Sequence, residues 1–99
     1  MDEIIYHITE KKYFEIQIAN GEYYSPTFHE EGFIHLSTKN QVEATLNRYY
    51  LGVKGLVLLQ VEASAIQKEL KYETASNGEL FPHLYGAIPQ KAILIVEEI

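Results

Sequence analysis

The 99-residue sequence contains no cysteine, only three prolines and a single arginine, Arg48. Without cysteine there is no disulfide, no thiolate nucleophile and no zinc site that uses sulfur. With one arginine and a formal charge of −6, the chain has the wrong electrostatics for gripping a phosphate backbone. A nucleic acid is therefore not expected as a partner. Long apolar runs are also missing: LVLLQV at 56–61 and AILIV at 92–96 fall far short of the ~20 residues that span a bilayer. The first residues, MDEIIYHITEKK, carry acids where a secretory leader would carry positive charge. The expectation is a cytoplasmic protein with no membrane partner.

Apolar side chains are plentiful by contrast. A hydrophobic content of 46%, with eight tyrosines and four phenylalanines, suffices for one core, so 1–99 reads as a single domain. EIIYHI at 3–8 is β-branched and aromatic, a strand with Ile5 and His7 on one face. Thr9 then reads as the N-cap of a helix ending near Asn20-Gly21, although Phe14, Ile16 and Ile18 also fit strand spacing. Residues 22–32 have no sustained period and read as an irregular connection. FIHLS at 33–37 is a short strand with Phe33, His35 and Ser37 on one face.

Thr38 or Asn40 can cap the next helix, and Asn40 with Glu43 has the spacing of a capping box. Val42, Leu46, Tyr49 and Tyr50 form its apolar stripe. GLVLLQV at 55–61 and KAILIV at 91–96 are apolar at nearly every position, which predicts neighbouring strands near a sheet centre, covered on both faces. Between them, Ser64 can start one helical turn and LKYE at 70–73 is a short strand. Residues 74–89 read as a long turn-rich loop, a length more often functional than connective.

Chemically capable residues concentrate in YHIT (6–9), FIHLST (33–38) and GELFPHLYG (78–86). On a strand, His7 shares a face with Thr9, and His35 with Ser37, each pair offering an imidazole and a hydroxyl to a ribose or a phosphate. His83 follows Pro82 in a segment that also holds Glu79 and Tyr85. Each histidine also has a plain reading as a half-buried residue bonded to backbone, and for His29, in the polar FHEEG stretch, that reading dominates. A serine nucleophile lacks its G-x-S-x-G elbow, phosphate-cradling glycine motifs are missing, and no H-x-H or H-E-x-x-H spacing supports a metal. No metal is expected.

YHIT, EEGFIHLST, GLVLLQV and GELFPHLYGAIP together resemble the bacterial family labelled domain of unknown function 952, across essentially the whole chain. YHIT and FIHLS also resemble, more distantly, the His-x-Thr and His-Leu-Ser segments of transferases that remove a 2′-phosphate from spliced tRNA using NAD. That likeness implies an ADP-ribosyltransferase-like α+β fold: small, split, twisted mixed β-sheets with two or three helices around a nucleotide cleft. It implies that His7 and Thr9 hold the adenosine side of NAD, that His35 and Ser37 face the nicotinamide ribose, and that His83 and Tyr85 flank it. The arginines with which those transferases grip the 2′-phosphate have no counterpart at the motif positions, which argues against RNA repair.

The resulting expectation is a domain that binds or processes NAD or an ADP-ribosylated small molecule. His7, His35 and His83 are its catalytic residues and line one cleft. Thr9, Ser37, Thr38, Glu79 and Tyr85 contact the substrate. The alternative is a non-catalytic module that binds a nucleotide or other polar ligand in the same pocket.

Overall fold

The computed structural model describes residues 3–99, so Met1 and Asp2 of the acidic start lie outside the described residues. The first strand, β1 (Ile4–Glu10), runs two residues further than EIIYHI implies, and Thr9 is inside it, paired with Val57. Thr9 is therefore not a helix cap. The ladder with the next strand partner continues to Glu10 opposite Leu56, which satisfies the backbone without a turn there. Helix α1 (Lys11–Ile18) follows directly, burying Phe14 and leaving Ile16 outside, so the helical reading of this segment holds over the strand reading. Gly21, at φ +91°, carries the chain out of it.

The stretch expected to be irregular contains two short elements, β2 (Glu22–Tyr23) and the single turn α2 (Phe28–Glu31). Gly32, at φ +84°, ends α2 and leads into β3 (Ile34–His35). The cap after β3 falls at Thr38 and not at Asn40. Gln41 is the third residue of the 3-10 turn Lys39–Gln41, and its side chain accepts the Thr38 N–H at 3.0 Å. Glu43 consequently sits in the first turn of α3 (Val42–Tyr49) and forms no box with Asn40.

Strand β4 (Leu56–Glu62) is the centre of an antiparallel sheet in the order β1-β4-β8, with β8 at Ile93–Glu98. The two apolar strands are neighbours as their composition predicts, but β8 is an edge strand and is not covered on both faces. A 3-10 turn at Ala63–Ile66 leads on to β5 (Leu70–Thr74). The expected long loop after it is largely strand: β6 (Leu80–Leu84) and β7 (Ile88–Pro89). Pro82 had disguised β6, because proline is normally excluded from a central strand. Its carbonyl accepts from Leu36 just past the end of β3, so the side on which its N–H is missing is one where the β3 ladder has stopped.

A second antiparallel sheet has the order β3-β6-β5, and β2 pairs with β7 as a small third one. All these pairings are antiparallel, so the sheets are not mixed. The two larger sheets meet where Tyr6 and Ser37 exchange both backbone hydrogen bonds at 2.8 Å. One core, with Ile5, Ile34, Leu59, Val61, Leu84 and Ile88 fully or almost fully buried, lies between them. The result is a small α+β domain of three few-stranded sheets and three helices among the described residues. None of those helices is long and apolar enough to cross a membrane.

Candidate functional site

The β3-β6 register places His35 directly opposite His83. Their rings lie 5.0 Å apart at 79°, an edge-to-face contact. Phe33, just before β3, stacks on His83 at 4.1 Å and 22° and meets His35 edge-on at 4.7 Å. Two imidazoles and a phenyl ring thus form one surface cluster, extended by the Tyr85 ring 5.3 Å from Phe33.

Each imidazole is held by a carboxylate. Glu73, on β5 beside β6, accepts from His83 Nδ1 at 2.7 Å and from the Tyr85 hydroxyl at 2.6 Å, both on Oε1. The Tyr85 bond, and after it the His83 bond, hold the Glu73 carboxyl below its usual range. Glu31, the last residue of α2, reaches His35 Nε2 at 3.2 Å, and the Thr27 hydroxyl donates to its other oxygen at 2.7 Å. Thr27 first, then His35, lowers the Glu31 carboxyl. An ionised carboxylate only accepts, so these contacts put the proton on Nδ1 of His83 and Nε2 of His35. The opposite nitrogen of each ring is left without a hydrogen-bond partner among the described residues.

His7 occupies a different environment. It is 7% exposed and points inward from β1. Its Nδ1–H donates to the His35 main-chain carbonyl at 2.7 Å, and its Nε2 accepts from the Tyr23 hydroxyl at 2.8 Å. Buried Thr9 acts on the same phenol, lowering it against the larger effect of burial. Tyr23, His7 and the His35 carbonyl form one directed chain. Burial, opposed by the bond to His35, pushes the His7 pKa down to about 4, and burial raises that of Tyr23. His7 is neutral at pH 7, with both nitrogens engaged.

The three histidines therefore do not line one cleft as equals. His35 and His83 meet ring to ring, while His7 lies behind them and touches only the backbone of His35. His7 and Thr9 do share a strand face, but it is the inward one, because β1 packs its alternate residues on the core. Ser37 is buried with its hydroxyl 3.3 Å from that of Thr45 on α3, away from the paired rings. Thr38 is taken up by the cap. Glu79 lies in the β5–β6 turn, where Asn77 donates to it at 2.7 Å. From there to His83 is four residues of strand, ~13 Å. Of the expected contacts, only Tyr85 joins the pair. His29 is exposed and its ring meets the neighbouring Phe28 ring edge-on at 6.4 Å, away from the paired rings.

Two cavities of about 480 and 500 Å³ open elsewhere, one beside Gly86 and the Ala63–Ile66 turn, the other between α3 and the sheet, and no histidine lines either. Among the described residues no cluster of His, Asp and Glu is arranged to hold a metal ion. Phe33, Glu31, Glu73 and Tyr23 are the contributors that motif reading left unassigned. Alternation along LKYET does put Lys71 and Glu73 on one face, but only the register with β6 brings them to His83.

The model of the family described as "Protein of unknown function (DUF952)" matches residues 8–96, from the last three residues of β1 through β3 and β6 to most of β8. The chain belongs to the DUF952 family. Its fold is shared with protein CC0527 from Caulobacter crescentus. The crystal structure of that protein matches with 33% identity and a TM-score of 0.88 over 94% of this chain and 82% of that one. Its solution NMR structure matches with 32% identity and a TM-score of 0.84 over 97% and 84%. No functionally curated protein matches this DUF952 chain.

Proposed function

We propose that the His35–His83 face binds NAD or an ADP-ribosylated small molecule and processes it by acid–base chemistry. One observation carries this reading: two facing imidazoles, each with one nitrogen on a carboxylate and the other free, set beside the Phe33 and Tyr85 rings. A carboxylate-backed imidazole is suited to taking a proton at neutral pH, because the anion stabilises the imidazolium that forms. His83 Nε2 takes the proton of an attacking water or hydroxyl while the bond from C1′ of the ribose to nicotinamide breaks. Nicotinamide leaves neutral with the electron pair. His35 Nδ1 holds a ribose hydroxyl, and the exposed Tyr85 ring stacks on the base, with Lys71 Nζ 5.4 Å above that ring as the nearby cation. Glu73 and Glu31, the carboxylates at the paired rings, supply the anion that stabilises an oxocarbenium-like transition state.

The openness of this face favours one further reading, a module that binds the same ligand without turning it over, since neither cavity encloses the paired rings. Ligand-detected NMR with NAD and ADP-ribose, followed by assay of released nicotinamide, separates the two. Binding is expected in the wild type and lost in His35→Ala and His83→Ala; full binding in both variants overturns the proposal. Release of nicotinamide that falls ~10²-fold or more in Glu73→Gln marks the enzyme. Binding with no release marks the module.

A further inference from the structure

With His7 and Thr9 turned into the core, neither is open to the adenosine half of a dinucleotide. The outward face of the β3-β6-β5 sheet has groups suited to it. Pro82 and Leu84 are buried against the core, so alternation along β6 turns Phe81 and His83 outward. The register sets His35 opposite His83 and His83 opposite Lys71. Three nitrogen-bearing side chains thus cross the sheet in one row, with Phe33 and Tyr85 on one side of it and Phe81 on the other.

Phe81 is half-buried and has no ring partner among the described residues. Gln41 donates to the Leu80 carbonyl at 2.8 Å, which fixes the end of β6 that carries this ring. Lys71 is the one lysine or arginine on β3, β5 and β6. Its Nζ lies 5.4 Å from the centre of the Tyr85 ring and has no ion-pair partner among the described residues. Glu73 is held by His83 and Tyr85, and Glu31 by His35, so the ammonium of Lys71 is left to meet an anion. Phe81 and Tyr85 are four residues of strand apart, ~13 Å. A mononucleotide has one ring and cannot cover both. A dinucleotide, with a ring at each end and phosphates between, matches the order ring, cation, ring.

We infer that Phe81 and Lys71 form an adenylate subsite: adenine stacks on the Phe81 ring and the pyrophosphate passes Lys71, while the nicotinamide riboside half lies at the His35–His83 pair. The inference rests on the reading of that pair as an NAD site and narrows its ligand class to dinucleotides over mononucleotides.

Isothermal titration calorimetry of the full chain with NAD and with nicotinamide mononucleotide tests it. The wild type should bind NAD at least ~5-fold more tightly, the contribution of one stacked base. Phe81→Leu should abolish that preference by weakening NAD alone, and Phe81→Trp, which keeps a ring, should retain it. Lys71→Met should weaken both ligands, since each carries phosphate, and leave nicotinamide riboside, which carries none, unchanged. Circular dichroism of each variant should stay native. Equal affinity of the wild type for NAD and the mononucleotide overturns the inference and leaves the NAD reading standing. So does a Phe81→Leu variant that loses both ligands alike or neither, or a Lys71→Met variant with unaltered affinity for both. A wild type that binds none of the three overturns the NAD reading and the inference with it.

Discussion

His7 and His83 are the same residue type on neighbouring sheets, yet their surroundings give them opposite duties. His7 is enclosed, with both nitrogens committed to Tyr23 and the His35 carbonyl. The His83 side chain is 15% exposed, and only its Nδ1 is committed, to a carboxylate that is itself open to solvent. A histidine whose two nitrogens are both satisfied inside the protein contributes rigidity. One clamped at a single nitrogen beside a partner ring keeps the other for a ligand. The His7 chain also fixes the backbone of the residue whose ring faces His83, so the interior histidine supports the exterior pair.

The comparison can be broken most strongly at Tyr23. Replacing it with alanine removes a fully buried ring and the partner of His7, and should cost about 3–5 kcal/mol in urea unfolding. Tyr23→Phe keeps the ring but leaves Nε2 of His7 unpaired, for about 1–3 kcal/mol.

Acid should act next. The His7 pKa is lowered from 6.5 to about 4 in the folded state, so below 6.5 the unfolded chain binds more protons there than the folded one does. The contribution is complete above pH 6.5 and is lost as pH falls toward 4 and below. It amounts to about 3 kcal/mol. Stability measured from pH 7 to pH 4 should fall more steeply in the wild type than in His7→Gln, which cannot take up that proton. Equal slopes would contradict the assignment.

On the surface the effects on stability should be small. Glu73→Gln should leave the urea midpoint close to that of the wild type, since an exposed pair contributes little, even where it removes ligand processing. Smallest of all, Tyr85→Phe should leave the urea midpoint unchanged. It should raise the titration of the Glu73 carboxyl seen by carbon-detected NMR, because the Tyr85 hydroxyl is the main cause of its lowering.

Much of this arrangement was legible in the chain and some was not, for physical reasons. The apolar runs at 55–61 and 91–96 identified β4 and β8 as neighbours. Composition does not rank strands within a sheet, so the exposure of β8 was hidden. The spacing of His7 and Thr9 established a shared face, but alternation has no means of saying which face is buried. That depended on Tyr23, sixteen residues away from His7 in the stretch that reads as an irregular connection. The pairing of His35 with His83 needs a register across 48 residues of chain, and Pro82 argued against the very strand that provides it. Glu31 reads as one more acid of the polar FHEEG stretch, because its partner His35 comes from the far side of Gly32.

The most direct test is nitrogen-15 NMR of the histidine rings, titrated in pH with and without ADP-ribose. The account predicts that His7 stays a neutral Nδ1–H tautomer down to about pH 4, unmoved by the ligand, while the His35 and His83 resonances shift on its addition. A His7 ring that titrates near its ordinary 6.5, or one that responds to ADP-ribose while His35 and His83 do not, would contradict it.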